Sequence, residues 1–371
     1  MLSADINIFL QLLRGSLWGQ PIDGLPILPD WENVYRLAAQ QTVTAVVFDA
    51  VKQLPKEQAP ATDLLLKWYG TAALTENLNR AQNQDLASLV SFLGDEGISS
   101  RLMKGQGCAS LYPNPLHRQC GDIDLFVGEE QYERSKSLIV EKGIEIEKES
   151  AYDAHFRWNS TLVEMHRMES LLYWPSLNKK FQRICREEEW QKPCHFEACG
   201  QKIATFNPTF NAFYTFVHLY HHFLQVGIGL RQVCDWMLLL KHYENDISWE
   251  RLHQYIRSIG AERAWQTFYG LAVEHLGLHL ETKKLSLLSY KQKDVDFLLK
   301  DILTVGNFGK YGNSMQTRSF GGGLKANLLS FFELFKRLLR VSKFGRREAM
   351  AYPFWKMFCE RNLLKRYLSK G

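Results

Sequence analysis

Three carboxylates in two short apolar stretches carry the clearest chemistry in the sequence. In "DIDLFV", residues 122–127, Asp122 and Asp124 stand two apart, and in "TLVEMH", residues 161–166, Glu164 follows the same alternation. Alternate residues of a β-strand face the same way. Asp122, Asp124 and Phe126 therefore share one face, and Leu162, Glu164 and His166 share one face of a second strand expected beside the first. Two carboxylates about 6–7 Å apart along a strand raise each other's proton affinity unless a positive charge lies between them. A divalent cation resolves that conflict. Mg²⁺ or Mn²⁺ takes oxygen ligands, commonly one or two carboxylates together with substrate phosphates. Three carboxylates on two strands are the ligand set that two-metal phosphoryl or nucleotidyl transfer needs. The plainer readings are a solvated strand end for the two aspartates and the polar face of an antiparallel strand for Glu164.

Just upstream, "RLMKGQG" reads as a strand running into a glycine turn, with a helix over residues 105–112. Glycine lets backbone amides approach a ligand closely, and a helix N-terminus favours anions. Lys104, Gly105, Gln106 and Gly107 are thus candidates for a triphosphate cradle, with Lys104 adding a point charge. The spacing is not that of a Walker loop. Arg118, three residues before Gly121, could neutralise phosphate or fix the loop. Further on, His218, His221 and His222 form H-x-x-H-H on an expected helix, and Arg231 and Asp235 stand four apart on another. His166, His222, Arg231 and Asp235 are candidates for orienting substrate; the bland alternatives are ordinary core or surface histidines and an i, i+4 ion pair.

These residues need elements to position them. Residues 1–97 read as a helical region, with Asp30 a candidate cap for the helix that follows it. The periodicity changes near residue 98, and 98–168 reads as a small mixed α/β unit whose last two strands meet at a tight Asn159-Ser160 turn. Residues 169–305 read as a C-terminal helical domain in which Asn207 and Pro208 open one helix in the cap and first positions. Residues 306–371 read as a Gly/Ser-rich linker and a basic amphipathic helical tail. The expected fold class is α+β, a small mixed-sheet core flanked by helical regions.

The ordered string K-G…Y-P…R-x-x-G-D-I-D-L, on Lys104, Gly105, Tyr112, Pro113, Arg118 and Gly121 to Leu125, resembles the uncharacterised bacterial nucleotidyltransferase family of the DNA polymerase β-like superfamily. "LVEMH" and "HLYHHFLQVGIGLRQVCDW" are similar to later segments of the same family, and the likeness spans roughly residues 30–280. The resemblance implies Asp122, Asp124 and Glu164 as catalytic metal ligands and the Gly105 turn, flanked by Arg118 and Gly121, as the nucleotide site. It implies transfer of an NMP, from ATP or another NTP, to an acceptor hydroxyl with Mg²⁺ or Mn²⁺ and release of pyrophosphate. The superfamily's usual Gly-Ser is Gly-Gln here, at Gly105-Gln106. The acceptor stays open among small molecule, peptide, protein and RNA. A D-x-D metal-dependent glycosyltransferase and an inactive nucleotide-binding or scaffold homologue are the rival readings. The first of these needs a larger Rossmann-like domain ahead of its D-x-D.

Composition sets the limits. Of 371 residues, 46% are hydrophobic and 13% aromatic, enough for a substantial core and incompatible with general disorder. The seven cysteines are scattered, which suits reduced thiols. The N-terminus lacks a basic run ahead of an apolar stretch, and no apolar run approaches the roughly 18 residues that span a bilayer. A cytoplasmic protein without a signal peptide is expected. The net charge of +5 is uneven, because residues 321–371 carry +9 and the preceding 320 residues −4. That asymmetry points to an anionic partner or a membrane surface for the tail.

Overall fold

A computed structural model describes residues 2–20, 22, 24–281, 289–307 and 334–355. The N-terminal part is helical, as the apolar spacing predicts: α1 (Ala4–Trp18), α2 (Trp31–Gln40), α3 (Thr44–Val51) and α4 (Thr62–Asp95). Asp30 does start α2, its side chain accepting the Asn33 backbone N–H. At 34 residues, α4 runs from the N-terminal helices to the sheet. Near its start the Trp68 indole donates to the Thr44 carbonyl at 2.8 Å, joining it to α3. Near its end Leu86, Leu89 and Leu93 enter a second core beneath the sheet.

The sheet has seven strands: β1 (Arg101–Leu102), β2 (Ile123–Phe126), β3 (Ile146–Glu149), β4 (Asp153–Trp158), β5 (Thr161–His166), β6 (Cys194–Ala198) and β7 (Gln201–Thr205). Their spatial order is β3-β4-β5-β2-β1-β7-β6. The pairs β2–β5 and β1–β7 are parallel, and the remaining neighbours are antiparallel. Between strands lie α5 (Gln106–Ala109), α6 (Glu129–Glu141) and α7 (Pro175–Glu188). The alternation of β2 is realised: Ile123, Leu125 and Val127 join the core formed with α4 and α6, and Phe126 enters the separate core of the helices. The fold class is α+β.

Two differences from the sequence expectation have physical causes. The helix expected over 105–112 is only the single turn of α5, followed by the 3-10 turn Pro115–His117. The sheet does not end at residue 168. Segment 194–205, read as part of a helical domain, is a hairpin whose β7 pairs with β1 through Leu102 and Thr205. Its two-residue turn, Cys199-Gly200, has positive φ at both positions (49° and 78°), the geometry that suits a tight hairpin.

The remaining helices are α8 (Pro208–Gln225), α9 (Leu230–His242), α10 (Trp249–Ser258), α11 (Glu262–Leu276) and α12 (Gln292–Val305). Asn207 caps α8 by accepting the Phe210 N–H, and Pro208 takes its first position, as expected. No helix among the described residues is long and apolar enough to cross a membrane. The Gly/Ser-rich stretch 308–325 and the tail beyond residue 355 lie outside the described residues. In the described part of the tail, Arg337 and Arg340 pair with Asp301 and Lys343 with Asp294. Arg346 and Arg347 are exposed.

Candidate active site

The parallel register of β2 and β5 sets Asp124 directly across from Glu164, and Phe126 from His166. The β4–β5 hairpin then sets His155 across from Glu164 and Asp153 across from His166. All five polar side chains lie on the sheet face opposite the core shared with α4 and α6. Asp124, Glu164 and His166 each bring one ligand atom into a group whose members lie within 4.8 Å of one another. Asp153, His155 and Glu164 form a second such group. Asp122 stands just before β2, half-buried, and belongs to neither group.

Asp124 is only 3% exposed. Its Oδ1 lies 2.9 Å from the Lys104 ammonium and 3.4 Å from His166 Nε2. Lys104 in turn lies 3.5 Å from His218 Nε2 on α8, and the His218 and His222 rings meet edge to face at 4.4 Å. Burial pushes the Asp124 carboxyl up, but Lys104 and His166 outweigh it and hold the group well below its ordinary value. Glu164 is raised, by burial and then by the two aspartates, and Asp122 is raised by burial and then by Asp124. Burial and the Lys104 ammonium push His218 well below its ordinary value and bring His222 to about 3, so both rings are neutral.

This donor set fits a divalent cation. Asp124 Oδ1 and His166 Nε2 are buried and, despite their ionic contacts, neither has a hydrogen bond of proper alignment. The 2.9 Å contact is thus an ion pair alone, with the Lys104 ammonium supplying positive charge next to clustered carboxylates. The carboxylate oxygens suit Mg²⁺ or Mn²⁺.

The other sequence candidates divide between site and scaffold. Gly105 adjoins the carboxylates: a Cβ there would sit 3.4 Å from the Asp122 carbonyl oxygen. Its φ of 58° and ψ of −120° are available to glycine alone. Gly105→Ala should therefore cost about 1–3 kcal/mol of backbone strain, read by urea unfolding; an unchanged midpoint would show that the turn relaxes. Gly107 instead packs against β7, where an added Cβ would meet Thr205 Cγ2 at 3.2 Å. The Gln106 side chain is buried and donates to Asn79 and Gln82 of α4 at 3.1 and 3.2 Å. The side-chain amide of Gln106 and the backbone N–H of Gly107, which donates to the Lys104 carbonyl at 3.1 Å, are thus already engaged.

Arg118, a nucleotide-binding candidate, also turns away. Its guanidinium forks onto Asp235 of α9 through two 2.8 Å contacts. Tyr112 donates to the same carboxylate at 2.8 Å. Arg231, four residues before Asp235, lies 3.9 Å from it and donates to Thr42 at 3.2 Å. Burial pushes Asp235 up, yet Arg118 leaves its pKa lowered. Arg231 and Asp235, the candidates for orienting substrate, and Arg118, the candidate to neutralise phosphate or fix the loop, thus meet in one buried cluster that braces the loop. The long α4 completes the bracing. Asn79 donates to the carbonyls of Leu116 and Arg118, and Gln82 to that of Gly121. Asp85 accepts from Asn159 at 2.8 Å and Thr161 at 2.6 Å across the β4–β5 turn.

Sequence reasoning missed His155 and Asp153. The signal was present. Counting back from the two-residue turn at Asn159-Ser160 pairs His155 with Glu164 and Asp153 with His166.

Comparison with known proteins adds the family. A model of the uncharacterised nucleotidyltransferase family matches residues 28–277. No curated protein matches the chain. Among solved structures, the chain is similar to the antibiotic-resistance factor ANT(2'')-Ia at 12% identity and a TM-score of 0.35, over 48% of this chain and 92% of that one. It is also similar to an antigenic nucleotidyltransferase-like protein from Paracoccidioides brasiliensis at 13% identity and a TM-score of 0.33, over 57% of this chain and 96% of that one.

Proposed function

The chain belongs to the uncharacterised nucleotidyltransferase family, and on that premise we propose that it moves an NMP from an NTP to an acceptor hydroxyl, with release of pyrophosphate. Asp124 and Glu164, with His166 and Asp122 beside them, would hold Mg²⁺ or Mn²⁺. When bound, the cation neutralises the carboxylates and draws charge from the phosphates. The observation that carries this reading is the β2–β5 register, which sets two carboxylates side by side with Lys104 at 2.9 Å from one of them.

The chain's own groups supply the rest. Lys104, held between Asp124 and the neutral His218, presents its charge to the triphosphate. The Gly105 turn lets the backbone come close to the same phosphates. The acceptor oxygen bonds to the α-phosphorus as the bond to pyrophosphate breaks, and the hydroxyl proton is released to water. Arg118, Asp235 and α4 keep the loop before Asp122 in place while this happens. The catalytic unit on this reading starts near residue 98 and extends past 168 to take in the β6–β7 hairpin, with residues 1–97 and the later helices bracing it. A glycosyltransferase reading finds less support, because no strand precedes Arg101 among the described residues.

The test is incubation with each α-labelled NTP, Mg²⁺ or Mn²⁺, and fractionated cell lysate. Label should pass to one fraction with stoichiometric pyrophosphate. Tight nucleotide binding without transfer in any fraction would reduce the protein to a nucleotide-binding homologue. Glu164→Gln sharpens the point. Only 24% of that side chain is exposed, and its position opposite Asp124 makes it a partner to the reacting groups. The variant should bind MgNTP within a few-fold of wild type and lose roughly 10²-fold in rate, a loss confined to the transition state. Near-normal turnover would return Glu164 to an ordinary polar strand face.

A further inference from the structure

Residues 334–355 lie against the helices as two helical stretches, 334–341 and 346–355, joined by the 3-10 turn Ser342–Phe344. One face of this segment holds it to the body. Leu338, Val341, Phe344 and Ala349 are buried, and Phe344 meets Phe223 of α8 edge to face with ring centroids 5.5 Å apart. Glu348, 2% exposed, accepts the backbone N–H groups of Tyr173 and Trp174 at 2.8 and 2.9 Å. Arg337 on Asp301 and Lys343 on Asp294 complete the attachment. These contacts decide which face looks outward.

That outward face is apolar and cationic. Its large apolar side chains are Phe335, Leu339, Met350 and Phe354, from 48% exposed at Phe335 to 69% at Phe354. Phe335 and Leu339 stand four residues apart, as do Met350 and Phe354, so each pair shares a helical face. Among them stand Lys336, Arg340, Arg346 and Arg347, all exposed. Arg340 reaches Asp301 at 2.6 Å and still keeps 52% of its side chain exposed. No acid accompanies them, because the single carboxylate of 334–355 is Glu348 and it points inward. Scattered exposed apolar residues need no explanation, but here they alternate with cations only.

The sequence beyond continues the pattern. Residues 356–371, "KMFCERNLLKRYLSKG", carry five Lys/Arg against one Glu. An anionic lipid surface answers both features at once. Apolar side chains enter the boundary between headgroups and acyl chains, while ammonium and guanidinium groups meet the phosphates. A nucleic acid would answer the charge alone and leave Leu339 and Met350 without a use.

We infer that the outward face of residues 334–355 docks the protein peripherally on an anionic membrane surface. Phe335, Leu339, Met350 and Phe354 are the apolar anchors, and Arg346 and Arg347 contact the headgroups. This docking goes beyond nucleotidyl transfer and stands whether or not the protein transfers nucleotides.

The test uses the full-length protein and sedimentation with vesicles, one set of phosphatidylcholine alone and one with about a third phosphatidylglycerol. Binding to the anionic vesicles should be at least about tenfold tighter than to the neutral ones. It should fall steeply between about 0.1 and 0.5 M salt. Arg346→Gln with Arg347→Gln should weaken it roughly 25-fold, since each cation near such a surface contributes about fivefold. Met350→Ser with Phe354→Ser should weaken it at least about tenfold and leave the melting temperature in place, both side chains being exposed in the free protein. Equal binding to both vesicle types, binding to neither, or full binding by either double variant would overturn the inference. A single-stranded oligonucleotide and sedimentation velocity without lipid probe the rival occupants. Oligonucleotide binding that needs Arg346 and Arg347 and displaces the vesicles would assign the face to nucleic acid. A dimer lost in the Met350→Ser, Phe354→Ser protein would assign it to a second copy of the chain.

Discussion

Asp124→Asn will leave a folded protein whose nucleotidyl transfer falls by roughly 10³-fold, the upper range for removing one group that stabilises developing charge. The side chain is 3% exposed, so the amide fits the space of the carboxylate. What it lacks is the charge on which Lys104 and His166 converge at 2.9 and 3.4 Å. Mn²⁺ affinity should fall with the rate, because an amide oxygen is a weaker ligand for a hard cation than a carboxylate. The measurement is Mn²⁺ titration alongside turnover, with far-ultraviolet circular dichroism to show the fold intact. A folded variant that keeps a tenth of the wild-type rate or its full Mn²⁺ affinity would remove Asp124 from the centre of the site.

Arg118→Met will destabilise the protein by about 3–5 kcal/mol, the cost of leaving one member of a buried ion pair without the other. The pair is closed on all sides: Arg118 is 3% exposed and Asp235 5%. Adding Asp235→Leu to that variant should restore at least about 2 kcal/mol, since it removes the stranded charge. The pH dependence has a definite sign. Burial acts against Asp235, but Arg118 leaves its native pKa below the unfolded value of about 3.9. The stability from the pair is therefore fully present above that value and is lost as pH falls through the lower native one. Urea unfolding at neutral pH and again near the native value reads both effects. If Arg118 were a phosphate ligand instead, its loss would weaken MgNTP binding and leave the unfolding midpoint in place.

These two residues show what could be read from the sequence and what could not. Asp124 was legible because a strand's two-residue period makes facing a matter of counting, and the apolar partners Ile123 and Leu125 declare which side is buried. The same counting through the Asn159-Ser160 turn would have placed His155 and Asp153. Arg118 was opaque. Its partner Asp235 lies 117 residues away on another helix, and nothing local distinguishes a guanidinium that meets a phosphate from one that meets a buried carboxylate. The shortness of α5 was opaque for a similar reason. Gly107 fits because β7 passes close by, and that approach is decided by a hairpin some ninety residues downstream, which the alternation of "CHFEACGQKIAT" hinted at and the helical surroundings obscured. Periodicity reports facing within an element; it carries little about which element comes to lie beside it.

The reach of α4 has a consequence for how mutations in this protein would be scored. Asn79, Gln82 and Asp85, three residues apart along one helix, hold the carbonyls ahead of Asp122 and the turn that aligns β4 with β5. None of them touches the carboxylate cluster. A library screened only for lost activity would nevertheless rank them with the catalytic positions. A gene fragment begun at residue 98 would carry every proposed metal ligand and still lack the rail on which they are aligned. The portable cassette in this fold, the piece that could be grafted elsewhere with its chemistry intact, begins with the helix at Thr62 and not with the first strand.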